Sequence, residues 1–294
     1  MQVFLQTFIN SLQNIALYSM ATIGIVLIFR TSITTNFAQG MMGTFSAFFT
    51  ANFVLYHGMP FWAGITIGAL IAFCFGYLID AGIIRHGREV NASGRQMITM
   101  GLMMIFYAIM PAMFVSITTR TPNLPKFSYT NLEFSFLGQE LYITEHALIC
   151  LVIAVIGLSI LFFLLKWTKW GMGLRATASN EVVAQMMGIN TKFITGVTWG
   201  IAGLFVAVAA SSTAMSLNAG MMGTVQIYGF LACVLGGLSS FGAPIAGCVL
   251  IPLFLNYSAV FSPKWAGLIS FILIMLIILV RPNGLFGKKL VKKV

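Results

Sequence analysis

The sequence predicts an all-α fold: a polytopic integral membrane bundle of about 8–10 transmembrane helices, with a short helix in a cytoplasmic loop. Three observations predict it. Of 294 residues, 59% are hydrophobic and 7% charged, and the mean hydropathy of +0.96 leaves too little polar surface for a soluble domain. Nine apolar runs approach the roughly 17–25 residues that cross a bilayer as helix. They lie near residues 3–29, 39–56, 61–79, 97–117, 147–165, 194–216, 225–241, 243–262 and 265–281. They are about twice the length of a spanning strand and do not alternate, which excludes a closed barrel. Third, 13 of the 16 basic residues fall on one face when the runs alternate sides. Arg30, Arg85, Arg88, Arg95, Lys166, Lys169, Arg175, Lys192, Arg281 and the tail residues Lys288, Lys289, Lys292 and Lys293 share that face; Arg120, Lys126 and Lys264 lie opposite. The positive-inside rule makes the crowded face cytoplasmic, with the C-terminus inside and, for an odd number of spans, the N-terminus outside. No charge precedes Arg30, so the first run reads as a retained span rather than a cleaved signal. The net charge of +10 then reflects topology and contact with membrane lipids, and implies no nucleic acid.

Residues 1–294 read as one transmembrane domain with two long polar interruptions, an extracytoplasmic loop at 118–146 and a cytoplasmic loop at 166–193. In the first run Gln6, Asn10 and Gln13 or Asn14 recur at helical spacing. This amide stripe faces the bundle, either for interhelical hydrogen bonds or as a polar lining of a transport path. The polar segment Arg30–Gln39 separates two apolar runs and leads into Gly40-Met41-Met42-Gly43. It fits an interfacial turn, or a broken helix whose free backbone donors would suit an anionic substrate group. Tyr56–Pro60 makes an outside turn with Trp62 at the interface, and Gly64 and Gly68 give a small face for close helix packing. In the loop 118–146, Pro122 and Pro125 are breakers and Glu133, Glu140 and Glu145 are acidic; a soluble partner could dock there, although a solvated loop is the default reading. Gly196, Gly200 and Gly203 suit helix packing. Leu217–Thr224 then repeats the Gly-Met-Met-Gly-Thr of residues 40–44 behind Asn218, a hint of internal symmetry that would put a substrate path between two halves. The glycine cluster Val234–Gly247, with Gly236 and Gly237 at its turn, marks close backbone approach.

The loop 166–193 organises the chain. Trp167, Trp170, Lys166 and Lys169 anchor it at the interface; Asn180 suits the N-cap of a short helix, Glu181 the positive end of its dipole, and Gly188 its end two turns later. Val182, Val183, Met186 and Met187 would share one side of that helix. The pattern fits a surface helix lying among headgroups, or an apolar knob offered to a groove on another protein.

Gly171-Met172-Gly173-Leu174-Arg175-Ala176, then Asn180, Ala184 and Met187-Gly188-Ile189-Asn190-Thr191, resemble the cytoplasmic signature of branched-chain amino-acid permeases of the LivH type, the membrane subunits of binding-protein-dependent ABC importers. Asn36-Phe37-Ala38-Gln39-Gly40 resembles the family's Asn-Phe-Ala-His-Gly element, with Gln39 where histidine is usual and Met41 where an acid usually follows. Residues 234–247 resemble its glycine-rich run, with Ser239 and Cys248 replacing glycines, and 281–287 its C-terminal Pro-x-Gly-x-x-Gly. The resemblance implies translocation of branched-chain amino acids, or a related small solute, across the bacterial inner membrane. It also implies partners: cytoplasmic ATP-binding subunits, an extracytoplasmic substrate-binding protein, and a second permease subunit, identical or homologous. Gly173, Arg175, Ala176, Asn180, Glu181, Val183, Ala184, Met186, Met187, Gly188 and Ile189 would then couple to the ATPase. Asn10, Asn14, Asn36, Gln39, Gly40, Asn218, Gly236 and Gly237 are candidates for the substrate path.

What is missing narrows the mechanism. None of the six acidic residues lies well inside a run, and Asp80 comes nearest, so ion coupling has little to work with. No phosphate-cradling Gly-x-x-x-x-Gly-Lys-Ser/Thr occurs, so energy must come from another polypeptide. His57, His86 and His146 are scattered, and Cys74, Cys150, Cys233 and Cys248 read as small core residues; no cofactor, metal site or catalytic cluster is expected. The alternative is a stand-alone channel or facilitator for a small neutral solute such as urea or an amide, which would have no use for an apolar docking helix.

Overall fold

The structure is a computed structural model that describes residues 1–87, 90–136, 138–213, 216–238 and 240–287. Arg88, Ser239, Lys288, Lys289, Lys292 and Lys293 lie outside the described residues. The chain is an all-α membrane bundle, and each apolar run corresponds to a helix. In order these are α1 (Gln2–Ser32), α2 (Gln39–Ala51), α3 (Phe61–Ile79), α4 (Ala92–Met113), a short α5 (Val115–Arg120), the strands β1 (Asn131–Phe136) and β2 (Gln139–Thr144), α6 (Glu145–Trp167), α7 (Lys169–Ser179), α8 (Glu181–Met186), α9 (Thr191–Ser211), α10 (Gly223–Gly236), α11 (Ala243–Phe261) and α12 (Ala266–Val280). Two π-helical turns, Asn52–Tyr56 and Asp80–Ile84, prolong α2 and α3.

Among the described residues six helices are long and apolar enough to cross a membrane: α1, α3 with its π-turn, α4, α6, α9 and α11. The other three runs form the shorter α2, α10 and α12, of 13, 14 and 15 residues. At 1.5 Å per residue α10 and α12 reach only about 21–23 Å, and α2 about 27 Å with the π-turn that prolongs it. The sixth run ends at Ser211 and the seventh at Gly236, before the ends their hydrophobicity suggests, because the chain there turns into loops that are themselves partly buried. In the fourth, Pro111 removes a backbone donor and the helix breaks at Phe114.

α1 and α9 form the centre. In each, about 70% of the spanning window is buried, 67% and 72%, against 22% for α4 and α6, which present most of their surface outward. α9 packs on α3, α1 and α2, while α1 also meets α6, α10 and α11. The α3–α9 contact is backbone to backbone: a Cβ on Gly76 would stand 2.3 Å from the Trp199 carbonyl oxygen, and one on Gly203 would stand 2.4 Å from that of Ala72. Gly64 and Gly68 play the predicted packing role against α2, where Thr50 and Ser46 donate hydroxyl hydrogen bonds to their carbonyls.

Loops gather at the two ends as the alternation predicts. At one end Arg85 donates to the Lys192 carbonyl, Arg30 lies over the Phe241 ring, and Leu285 and Phe286 bond the carbonyls of Leu235 and Gly236. This is the basic end. At the other, β1 and β2 form an antiparallel hairpin around Gly138 (φ +73°). The Gln6 side chain both donates to the Tyr142 carbonyl and accepts from its N–H. The hairpin occupies part of the loop 118–146, where the sequence analysis expected irregular chain. Asn-Leu-Glu-Phe-Ser-Phe alternates with period two, which is the signal that marks it.

Candidate functional site

Two places gather the residues singled out by sequence. The first is the α7–α8 segment at the basic end. Gly171 follows α6 so closely that a Cβ would stand 2.3 Å from the Leu164 carbonyl oxygen, and Thr168 caps α7 by accepting from Gly171 N–H at 3.1 Å. α7 continues the loop as regular helix, which the sequence analysis left unassigned. Asn180 is extended and caps α8, its side-chain oxygen accepting from Val183 N–H at 3.1 Å. Gly188, at φ +81°, adopts the left-handed turn that ends the segment. Glu181 sits in the first turn of α8, and Gln185 reaches back to it at 3.4 Å and across to Thr191 at 2.9 Å. Gly173 lies against Ile194 and Ile189, Ala184 is buried, and Ile189 N–H bonds the Ala184 carbonyl. Ala176 is half-buried and Arg175 exposed.

That inward set fixes α8 to α7 and α9. It leaves Val182, Val183, Met186 and Met187 facing out, 60%, 52%, 81% and 78% exposed. The exposed face is one turn from α9, whose first turn is tied to α3. Arg85 Nη2 donates to Asp80 Oδ2 at 3.1 Å and to the Lys192 carbonyl at 2.9 Å, while Thr195 Oγ1 donates to the same carboxylate oxygen at 3.2 Å. Asp80 is the one buried Asp, Glu, Lys or Arg among the described residues. A displacement of α8 would therefore reach α9 and α3 together.

The second place is inside the bundle. After α1 ends at Ile33, held at φ +49°, residues 33–38 run back into the protein, with Asn36 Oδ1 accepting from Ala38 N–H. α2 starts at Gln39, whose Nε2 donates to the Ala21 carbonyl at 2.8 Å. Ala21 lies about 16 Å along α1 from its basic end, near mid-depth. From the hairpin end, residues 216–222 descend with Leu217, Met221 and Met222 buried, and α10 starts at Gly223. The two starts meet. Gly40 N–H donates to Gln226 Oε1 at 2.5 Å, Gln226 Nε2 donates to the Asn36 carbonyl at 3.0 Å, and a Cβ on Gly40 would come within 3.1 Å of the Met222 carbonyl oxygen. The two Gly-Met-Met-Gly-Thr copies thus touch, one leading outward as α2 and the other toward the basic end as α10.

Among the path candidates, Asn36, Gln39 and Gly40 come together here. Asn10 is exposed near the hairpin end, accepting from Gln6 at 3.0 Å; Asn14 is half-buried on α1; Asn218 is exposed and caps Gly220 N–H. Gly236 and Gly237 lie at the basic end, against Ala243–Pro244 and the loop Asn283–Gly287 respectively. Gln226 was not singled out by sequence, being a lone amide in an apolar run. Its place six residues behind Gly220, the second-copy counterpart of Gly40, is the cue to it. Among the described residues no group of three or more His, Cys, Asp or Glu side chains is placed to hold a metal.

The comparisons with known proteins agree on one family. Residues 7–278 match the family described as branched-chain amino acid transport system, permease component. Over 99% of its length the chain is 25% identical to 98% of the high-affinity branched-chain amino acid transport system permease protein BraD of Pseudomonas aeruginosa. It is 26% identical, with the same coverage, to the LivH permease protein of Salmonella typhimurium. It is 23% identical, over 90% of its length and 87% of the relative's, to a probable LivH of Methanocaldococcus jannaschii. No solved structure matches the chain.

Proposed function

The chain belongs to the branched-chain amino acid transport permease family, and from that premise we propose that it is the membrane-spanning subunit of a binding-protein-dependent ABC importer in the bacterial inner membrane. Cytoplasmic ATP-binding subunits supply the energy by seating α8 in a groove. A second permease subunit, identical or homologous, completes the pore, and an extracytoplasmic substrate-binding protein delivers branched-chain amino acids at the hairpin end. The N-terminus is outside and the C-terminus cytoplasmic, which puts the basic end at the motor. The observation that carries the reading is the outward-facing Met186 and Met187 on a helix anchored from behind by Ala184, Ile189 and Gln185. A solvent-facing helix of a self-sufficient facilitator has no reason to hold four large apolar side chains rigidly in water.

In this mechanism nucleotide-driven closure of the motor pushes α8, and α9 carries the displacement to α3 through Arg85 and Asp80. α9 also lies against α1 and α2, Gly24 facing Ala202 and Gly43 facing Val206, so the push reaches the α2–α10 junction. Substrate passes between the halves there, past Asn36, Gln39 and Gly40. Asn10, Asn14 and Asn218 lie along its outer approach, and Gly236 and Gly237 mark its cytoplasmic end. The test is the double variant Met186→Glu, Met187→Glu. It is expected to abolish co-purification with the ATPase and leucine uptake while the permease still inserts. Undiminished flux would favour a facilitator instead.

A further inference from the structure

We propose that the free edge of β1 is the docking strip for the extracytoplasmic binding protein, and that it takes an extended segment of that protein carrying a lysine or arginine opposite Glu133. This rests on the permease reading above. It adds the element that docks, the mode of contact and the sign of the charge.

The two edges of the hairpin are not alike. Glu145 N–H donates to the Thr130 carbonyl, so these two residues form a hydrogen-bonded pair just before the register Asn131↔Thr144 begins. Antiparallel pairs alternate between bonded and unbonded, which makes Asn131↔Thr144, Glu133↔Tyr142 and Ser135↔Glu140 the unbonded ones. Their N–H and C=O groups point away from the partner strand, toward the outer edges. On the β2 side α1 closes that edge. Gln6 Nε2 donates to the Tyr142 carbonyl at 2.8 Å, Gln6 Oε1 accepts from Tyr142 N–H at 3.1 Å, and Gln2 Nε2 donates to the Glu140 carbonyl at 2.8 Å. On the β1 side no described residue bonds the backbone of Asn131, Glu133 or Ser135, and all six residues of β1 are exposed. An open strand edge is a template for another strand.

The side chains select which strand fits. Leu132, Phe134 and Phe136 lie on one face of β1, 44%, 43% and 53% exposed, with Glu133 and Ser135 on the other. Glu140 pairs with Ser135 and is therefore a diagonal neighbour of Glu133 on that second face. A groove of about 440 Å³ lies between Gln2 and this face, lined by Glu133, Ser135, Glu140 and Tyr142. Residues 131–144 include no lysine or arginine, and among the described residues neither carboxylate has an ion-pair partner. A second copy of this chain does not suit the edge: two β1 strands pairing antiparallel about Glu133 would set like charges opposite each other. A lysine or arginine there meets both Glu133 and Glu140, while apolar residues flanking it lie on the Leu132–Phe134 side.

The test measures binding of the leucine-loaded binding protein to the permease–ATPase complex in nanodiscs. Ser135→Pro removes one outward N–H and leaves the β1–β2 pairing intact, because that N–H makes no bond to β2; Ser135→Ala keeps it. The proline variant is expected to bind about tenfold more weakly than the alanine variant. Glu133→Lys is expected to weaken binding by about tenfold or more, and Glu133→Gln to remove most of its salt dependence. Equal binding by the two Ser135 variants overturns the strand edge, and undiminished binding by Glu133→Lys overturns the basic partner. A measurement on the unmodified complex guards against misfolded variants: backbone hydrogen exchange over residues 131–136 should slow when the binding protein is added, and unchanged exchange would overturn the proposal. Cross-linking of two permease copies through Ser135→Cys, unaffected by the binding protein, would make a second copy the occupant and overturn it as well. These outcomes leave the permease reading standing. Uptake that survives loss of both motor and binding protein would remove that reading and the docking strip together.

Discussion

At the scale of single residues, the closeness of α3 and α9 depends on Gly76, whose added Cβ would stand 2.3 Å from a backbone oxygen of Trp199. Backbone cannot yield as a flexible side chain can, so Gly76→Ala should destabilise the protein by about 1–3 kcal/mol. Gly101→Ala, where nothing lies within 4 Å, should be neutral or mildly stabilising; paired thermal melts in one detergent compare them. The Asp80–Arg85 pair makes an asymmetric prediction. Arg85 is 23% exposed and Asp80 2%, so an arginine that loses its partner can turn to water, whereas a buried carboxylate that loses its guanidinium cannot, although Thr195 still donates to it. Arg85→Gln should therefore cost about 3 kcal/mol, and Asp80→Asn nearer 1 kcal/mol. Melting of the two variants in parallel checks the order, and equal losses would contradict it. The cap at Asn180 and the left-handed turn at Gly188 were legible in the sequence because each acts within three or four residues. Gln226 was not, because its partner Gly40 lies 186 residues away and nothing local distinguishes an amide that closes two halves from one that faces lipid.

At the scale of elements, α8 is six residues long and too short to persist alone. Its order comes from the Asn180 cap and from Ala184, Gln185 and Ile189 at its back. Asn180→Ala should remove about 1 kcal/mol from the segment, read as faster backbone hydrogen exchange over residues 180–188 with the spans unchanged. The outer loop is held by another local device. Phe127 N–H donates to His146 Nδ1 at 3.2 Å, which leaves Nε2–H to donate to the Ser212 carbonyl at 3.1 Å, and the Phe127 ring stacks on the imidazole. His146→Ala should cost about 1–3 kcal/mol by stranding both groups, with greater protease access to residues 121–130 as the sign of a loosened loop. Element type was readable wherever the hydrophobic run was long, as in α1, α6 and α9. The end of the sixth run was misread, carried to residue 216 although α9 stops at Ser211, because hydrophobicity reports burial and not helix.

At the scale of the whole molecule, α2 and α10 start from a shared point near mid-depth and run to opposite ends. This inverted arrangement was hinted at by the repeated Gly-Met-Met-Gly-Thr alone. It joins the two faces of the membrane through one small polar contact, and α9 links that contact to the exposed methionines of α8. On the proposed function, the molecule would act as a transmission that receives force at one end and parts two half-helices in its middle. The most direct measurement is leucine uptake into proteoliposomes holding the permease alone, the permease with its ATPase and binding protein, or that complex without ATP. Accumulation is predicted only in the complete, ATP-supplied set. Solute moving down its gradient through the permease alone would contradict it.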